Sequence, residues 1–343
     1  MPSIFGQTLS RADLERRVGD MSQIAGIRAM SLEDGRGRNA RILHVHTGSG
    51  LEFSLLADRC LDILDFRHNG RSMAWHSGIG PAAPAFYEPT GTDWLGTFFG
   101  GMLSTCGLRN AGGPNEDEGV QHGLHGRIGA APAQNLQWGA EWEGDDYVLR
   151  VKATMRESRV FGPRLALHRT VTTRLGSNKV TIEDTIENEG FGDELFMTIY
   201  HVNAGYPVLD DGSEVRIDST FEGYDANAKA GIASSSRCTA PQHGVPEQVF
   251  IHDANTDAGG MCRAELVNAR LGLGFRVNWR KRELPWMWQW KMMGERDYVM
   301  GLEPCNCGPG GRRSARESGR IGKLPPRGTV SHLVELEAIS IND

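Results

Sequence analysis

In the stretch DYVLRVKATM, Asp146 to Met155, apolar side chains recur at Tyr147, Leu149, Val151, Ala153 and Met155, with Arg150, Lys152 and Thr154 between them. A period of two marks a strand with one face buried and one wet. The alternation returns at Leu271, Leu273, Phe275, Val277 and Trp279, and shorter strand-like runs lie at 42–46, 180–186 and 334–338. His68-Asn69-Gly70, Asn188-Glu189-Gly190 and Asp210-Asp211-Gly212 supply turn residues. No long amphipathic helix separates these segments, which disfavours β-α-β crossovers and favours an all-β fold, a large antiparallel β-sandwich. One short helix is readable near the N-terminus, where Ser10 can cap and Asp13 follows three residues later. The polar, glycine-rich stretch 308–327 reads as a long loop because the strand pattern resumes at Val330. Residues 1–343 thus read as one β-sandwich domain.

A hydrophobic share of 39% is enough for a sizeable core, and 44 glycines suit a chain rich in turns. The net charge of −6 carries no basic block, so neither nucleic acid nor an anionic membrane surface is the expected partner. No apolar run approaches the roughly 18 residues of a membrane span, and the opening MPSIFGQTLSRADLERR lacks the apolar core of a secretory signal. The expected location is the cytoplasm. Six cysteines without paired-knuckle spacing fit a reducing compartment. Cys305 and Cys307 form the one close pair and read as reduced thiols, since zinc sites use wider loops within each ligand pair.

Three segments carry chemistry. Gln121-His122-Gly123-Leu124-His125-Gly126-Arg127 sets two imidazoles and a guanidinium among glycines, where backbone and donors can approach a ligand together. In Met197-Thr198-Ile199-Tyr200-His201-Val202-Asn203, strand alternation sends Phe196, Thr198 and Tyr200 to one face and Met197, Ile199 and His201 to the other, with Asn203 beside His201. In Val299-Met300-Gly301-Leu302-Glu303-Pro304, one carboxylate interrupts an apolar run; burial would raise its proton affinity toward that of a general base. Upstream lie Asp58-Arg59-Cys60-Leu61-Asp62 and an aromatic set, Trp75, Trp94, Trp288 and Trp290, that could form core or pocket wall.

Taken in order, Leu124-His125-Gly126, His201-Val202-Asn203 and Leu302-Glu303-Pro304 resemble the signature segments of the aldose 1-epimerase, or galactose mutarotase-like, superfamily. The resemblance spans nearly the whole chain and implies a large β-sandwich that binds a small sugar. It also implies that His125 contacts the sugar, His201 is the general acid toward the ring oxygen, and Glu303 is the general base, with no cofactor. The first segment departs from the family in reading His-Gly-Arg, and the family's sugar-binding aspartate has only Asp210, Asp211 and Asp225 as candidates. Arg109 is the nearest match to an upstream arginine.

Arg59, Asp62, Arg109, His122, Arg127 and Asn203 complete the candidate substrate-binding set. Arg59, Arg109 and Arg127 converging on one pocket would favour an acidic sugar through bidentate contacts. A second reading places a divalent metal such as Zn or Mn among His122, His125, His201 and Glu303, giving a metal-dependent sugar isomerase, epimerase or lyase. A third is a sugar-binding protein without catalysis, against which the presence of both His201 and Glu303 argues. A homodimer through a free edge strand is a further option.

Overall fold

The computed structural model describes residues 1–341. Two large antiparallel sheets face each other. One has eight strands in the order Gln134–Glu143, Asp146–Ser158, Arg164–Arg174, Lys179–Asn188, Thr329–Ser340, Leu273–Arg280, Met261–Asn268 and Glu214–Ile217. The C-terminal strand Thr329–Ser340 lies in its interior, pairing with Lys179–Asn188 on one side and Leu273–Arg280 on the other.

The second sheet has seven strands. Six run in the order Leu103–Leu108, Glu194–Ala204, Tyr298–Cys305, Trp286–Met293, Gln248–Ala254 and Ser219–Gly223, and Gly322–Leu324 pairs with the start of Glu194–Ala204. A five-stranded sheet formed by Gly26–Ser31, Arg41–His46, Leu51–Leu56, Asp62–His68 and Arg71–Ser72 completes the architecture.

Sequence alternation maps directly onto the space between the sheets. Leu149, Val151, Ala153 and Met155 are buried there with Leu273, Phe275, Val277 and Trp279, as are Val334, Leu336 and Ala338. The N-terminal helix Arg11–Glu15 carries the expected capping box: the Asp13 amide donates to Ser10 Oγ, and the Ser10 amide donates to the Asp13 carboxylate. Stretch 308–327 departs from the loop expectation. It holds the helix Gly311–Glu317, which buries Gly311, Arg312 and Ala315, and the short strand Gly322–Leu324.

A buried ionic network ties the three sheets together. The Arg169 guanidinium donates to Asp184 at 2.7 and 2.9 Å, to Asp62 at 3.1 Å and to Thr105 Oγ1 at 2.9 Å. Asp62 also accepts from the Thr105 amide and hydroxyl, and Tyr200 donates its hydroxyl to Asp184 at 2.7 Å. Such a network is costly to desolvate and more costly to break, so it fixes sheet-to-sheet register rather than adding much net stability. It anchors the strands carrying Thr105 and Tyr200, the immediate neighbours of Ser104 and His201.

A candidate active site on the seven-stranded sheet

Strand Glu194–Ala204 sends Phe196, Tyr200, Val202 and Ala204 into the core between the sheets. Met197 and Ile199 point to the opposite face and join a second apolar cluster with Trp75, Trp94, Phe98, Trp288, Val299 and Cys305. His201 and Asn203 share this second face. On the neighbouring strand Ile199 pairs with Cys305 and Asn203 with Gly301, which sets His201 directly opposite Glu303. Ser104 faces His201 from one side and Trp288 faces Glu303 from the other. Four strands therefore bring Ser104, His201, Glu303 and Trp288 into one rank across the sheet.

His201 Nδ1 lies 3.4 Å from Glu303 Oε1, and both residues are buried, with 5% and 1% of their surface exposed. Asn203 sets the imidazole. Its amide nitrogen donates to the carbonyls of His201 at 2.8 Å and Gly101 at 3.2 Å, so its oxygen faces His201 Nδ1 at 2.6 Å. That bond places a proton on Nδ1 and turns Nε2 toward the ligand side. Burial lowers the imidazole's proton affinity to a pKa of about 4, against the favourable bond to Asn203. Burial raises the Glu303 carboxyl well above its usual range, with the Glu247 charge adding to the shift. Glu303 Oε1 has no hydrogen-bond partner. The carboxyl occupies the space left by Gly301, where a Cβ would collide with Glu303 Oε1 and the Trp290 side chain.

Aromatic rings close the site. Phe98 and Trp290 stand edge-on to His201 at 5.2 and 5.4 Å, and Trp94 stacks on Phe98 at 4.3 Å. Trp286, Trp288 and Trp290 all project to this face, as alternation in WMWQW requires. His125 packs against Trp94 at 4.6 Å and edge-on against His201 at 5.3 Å. It is held in the left-handed region at φ 57°, with its amide donating to the Gly112 carbonyl at 2.9 Å. The Gly112 amide donates to His125 Nδ1 at 3.4 Å, which leaves the ring proton on Nε2, and burial holds its pKa well below the ordinary histidine value.

The structure therefore gathers His125, His201, Asn203 and Glu303, and separates the other candidates from them. Arg59 is buried and donates to the carbonyls of Gly129, Ala82 and Thr97 at 2.7, 2.8 and 3.3 Å, which makes it a clamp on three loops. Asp62 is consumed by Arg169 and Thr105. Arg109 stands five residues past Ser104, on the order of 15 Å along a strand, with its Nε 3.9 Å from Glu194. His122 sits with Arg109, Arg312 and Arg127, whose charges join burial in lowering its pKa to about 4. The Arg127 side chain is exposed. Arg109 and Arg127 therefore lie near each other, around His122 and Glu157, and none of the three arginines adds its charge at His201 or Glu303.

The aspartate candidates also lie in other roles, since Asp225 caps Ala226–Ala230 and Asp210 pairs with Arg270. Among the described residues no group of three or more His, Cys, Asp and Glu side chains is placed to hold a metal ion, and His122 lies with Arg109 and Arg312 and not with His201 and Glu303. All six cysteines are buried and free. Sequence reading missed Gly301, whose spacing two before Glu303 was the available signal, and Glu247, for which the sequence offers none.

A family model described as a domain of unknown function (DUF4432) matches residues 37–338. Among solved structures, a candidate aldose 1-epimerase from Klebsiella pneumoniae superposes with a TM-score of 0.89 at 23% identity, over 98% of this chain and 92% of that one. A galactose mutarotase-like protein from Clostridium acetobutylicum gives 0.67 at 11% identity, over 93% and 99%. Galactose 1-epimerase from Lactobacillus acidophilus gives 0.57 at 12%, over 92% and 98%. Comparison with curated protein sequences finds no match. The fold is the galactose mutarotase-like β-sandwich, and the match over residues 37–338 places the chain in the DUF4432 family.

Proposed function

We propose that the protein interconverts sugar anomers by acid–base ring opening, as an aldose 1-epimerase does. The observation that carries this reading is the buried His201–Glu303 pair at 3.4 Å, whose Glu303 Oε1 lacks a partner. Isolated in an aromatic pocket, such an oxygen is supplied with a donor when a sugar hydroxyl binds. That bond stabilises the carboxylate, so the reactive form of Glu303 arises with the substrate in place.

In the reactive form the one exchangeable proton of the pair sits on His201 Nε2, making the ring an imidazolium whose Nδ1 proton stays hydrogen-bonded to Asn203, and Glu303 is the carboxylate. Glu303 then takes the anomeric hydroxyl proton while Nε2 gives its proton to the ring oxygen. The C1–O5 bond breaks and the open aldehyde forms; rotation about C1–C2 and the reverse transfers close the other anomer. The pair begins and ends with one proton, so no net charge is left in the site. His125, with its proton on Nε2, donates to a sugar oxygen, and Trp94, Phe98 and Trp290 cover the apolar C–H faces of the ring.

Nuclear magnetic resonance of anomer exchange over neutral and acidic aldoses, with and without a chelator, tests this. Chelator-insensitive exchange that disappears in Glu303→Gln supports it. Exchange abolished by chelator and restored by Zn or Mn would move the assignment to the metal-dependent reading.

A further inference from the structure

The charges around the pair say which sugars it accepts. Resting on the anomer-exchange reading above, we infer that Glu247 is a specificity-determining residue that makes this an acidic pocket for neutral or amino sugars and excludes anionic ones. The carboxylate of Glu247 is exposed and accepts a hydrogen bond from Trp290 Nε1 at 2.7 Å. Trp290 stands edge-on to His201 at 5.4 Å and pairs with Gly301, over which the Glu303 carboxyl is folded. Glu247 thus marks the outer wall of the pocket whose floor is Glu303.

Among the described residues no cationic side chain contributes to the shift of Glu303 or of His201. Burial and Glu247 are what shift Glu303, and the Asn203 bond and burial are what shift His201. The arginines that the sequence offers lie elsewhere: Arg59 on three carbonyls, Arg312 on the Arg109 and Leu195 carbonyls and Asp117, and Arg109 and the exposed Arg127 with their charges beside His122 and Glu157. Arg320, on the tryptophan face, lies 5.5 Å over the Trp286 ring and 4.0 Å from Glu222. Lys291 spends its ammonium on the Ser234 and Arg237 carbonyls. A uronate or sugar phosphate brought against Trp290 would meet the like charge of Glu247 with no cationic side chain at the pair to offset it, whereas the ammonium of a 2-amino sugar would gain a partner.

The test compares glucose, glucosamine and glucuronate, and the galactose, galactosamine and galacturonate set, by anomer-exchange kcat/KM and by titration calorimetry. Wild type is expected to favour the neutral and amino members over the uronate by about tenfold or more, with the gap narrowing at high salt. Glu247→Gln keeps an acceptor for Trp290 Nε1 and removes only the charge. It should raise the uronate-to-neutral ratio about tenfold, chiefly through KM. Glu247→Ala, which also frees Trp290, separates positioning from charge: a ratio shift seen in Ala and absent in Gln overturns the inference. So does a wild type that takes uronates as well as neutral sugars. Absence of exchange with the same charge order in the dissociation constants would defeat the catalytic reading and leave this one standing.

Discussion

Replacing Glu303 by Gln removes a titrating group from a site that resists its charge. The carboxyl is 1% exposed, Oε1 has no hydrogen-bond donor, and its native proton affinity lies above that of an unfolded glutamate. A raised native pKa means the group's contribution to stability is fully present below the unfolded value, near 4.3, and is lost as pH rises through the native value. Gln stays neutral throughout, so the variant should be about as stable as wild type near pH 4.5 and more stable at pH 9. A buried charge lacking one partner costs about 1–3 kcal/mol, which corresponds to roughly 1–4 °C in Tm for a chain of this length. Over the same range the variant should lose about 100-fold or more of anomer exchange. Thermal unfolding of both proteins from pH 4.5 to 9, with exchange rates measured alongside, reads both effects. A Tm difference that stays flat or shrinks with pH would refute the burial argument, and full exchange activity would refute the assigned role.

Gly301→Ala places a Cβ against Glu303 Oε1 and Trp290, and a displacement of this size should lower kcat about 100-fold with a smaller loss of Tm; wild-type turnover would contradict the packing described. Asn203→Asp puts a carboxylate on His201 Nδ1, now 2.6 Å from the Asn203 oxygen, so the imidazole's pKa should rise from about 4 and the acid limb of the pH–rate profile should move to higher pH. An unmoved limb would remove His201 from the titrating pair. His201, His252 and His332 are each held at a pKa of about 4 by burial. Depressed native values stabilise the fold above pH 6.5 and lose that contribution as pH falls toward 4, on the order of 1–2 kcal/mol each between pH 7 and 5. Urea midpoints should fall accordingly over that window; unchanged midpoints would contradict it.

The sheets facing the core were legible because their strands are wet on one side. Asp146–Ser158 and Leu273–Arg280 alternate in sequence as they alternate in burial. Tyr298–Cys305 is buried along its whole length, so no alternation announces it, and its carboxylate drew attention through chemistry alone. Helix Gly311–Glu317 was hidden by flanking glycines and by an arginine, Arg312, buried against main-chain carbonyls and Asp117. Arg59 and Asp62 illustrate a more general limit. A charged residue that clamps loops or completes an interior network has the same local sequence as one that meets a ligand, and only long-range partners such as Thr97, Ala82 and Arg169 distinguish them. His201 and Asn203 can be set on one face because they stand two apart on one strand, whereas Glu303 is singled out by a carboxylate in an apolar run and by the resemblance of its segment.

The central claim is that the His201–Glu303 pair moves protons to and from a sugar's anomeric centre. Two-dimensional exchange spectroscopy on a mixture of α and β anomers, recorded with wild type, His201→Gln and Glu303→Gln, tests it most directly. Cross-peaks between anomers that grow with wild-type concentration and vanish in both variants are predicted. Exchange that persists in either variant, or wild-type exchange no faster than in buffer for every sugar that binds, would contradict the account.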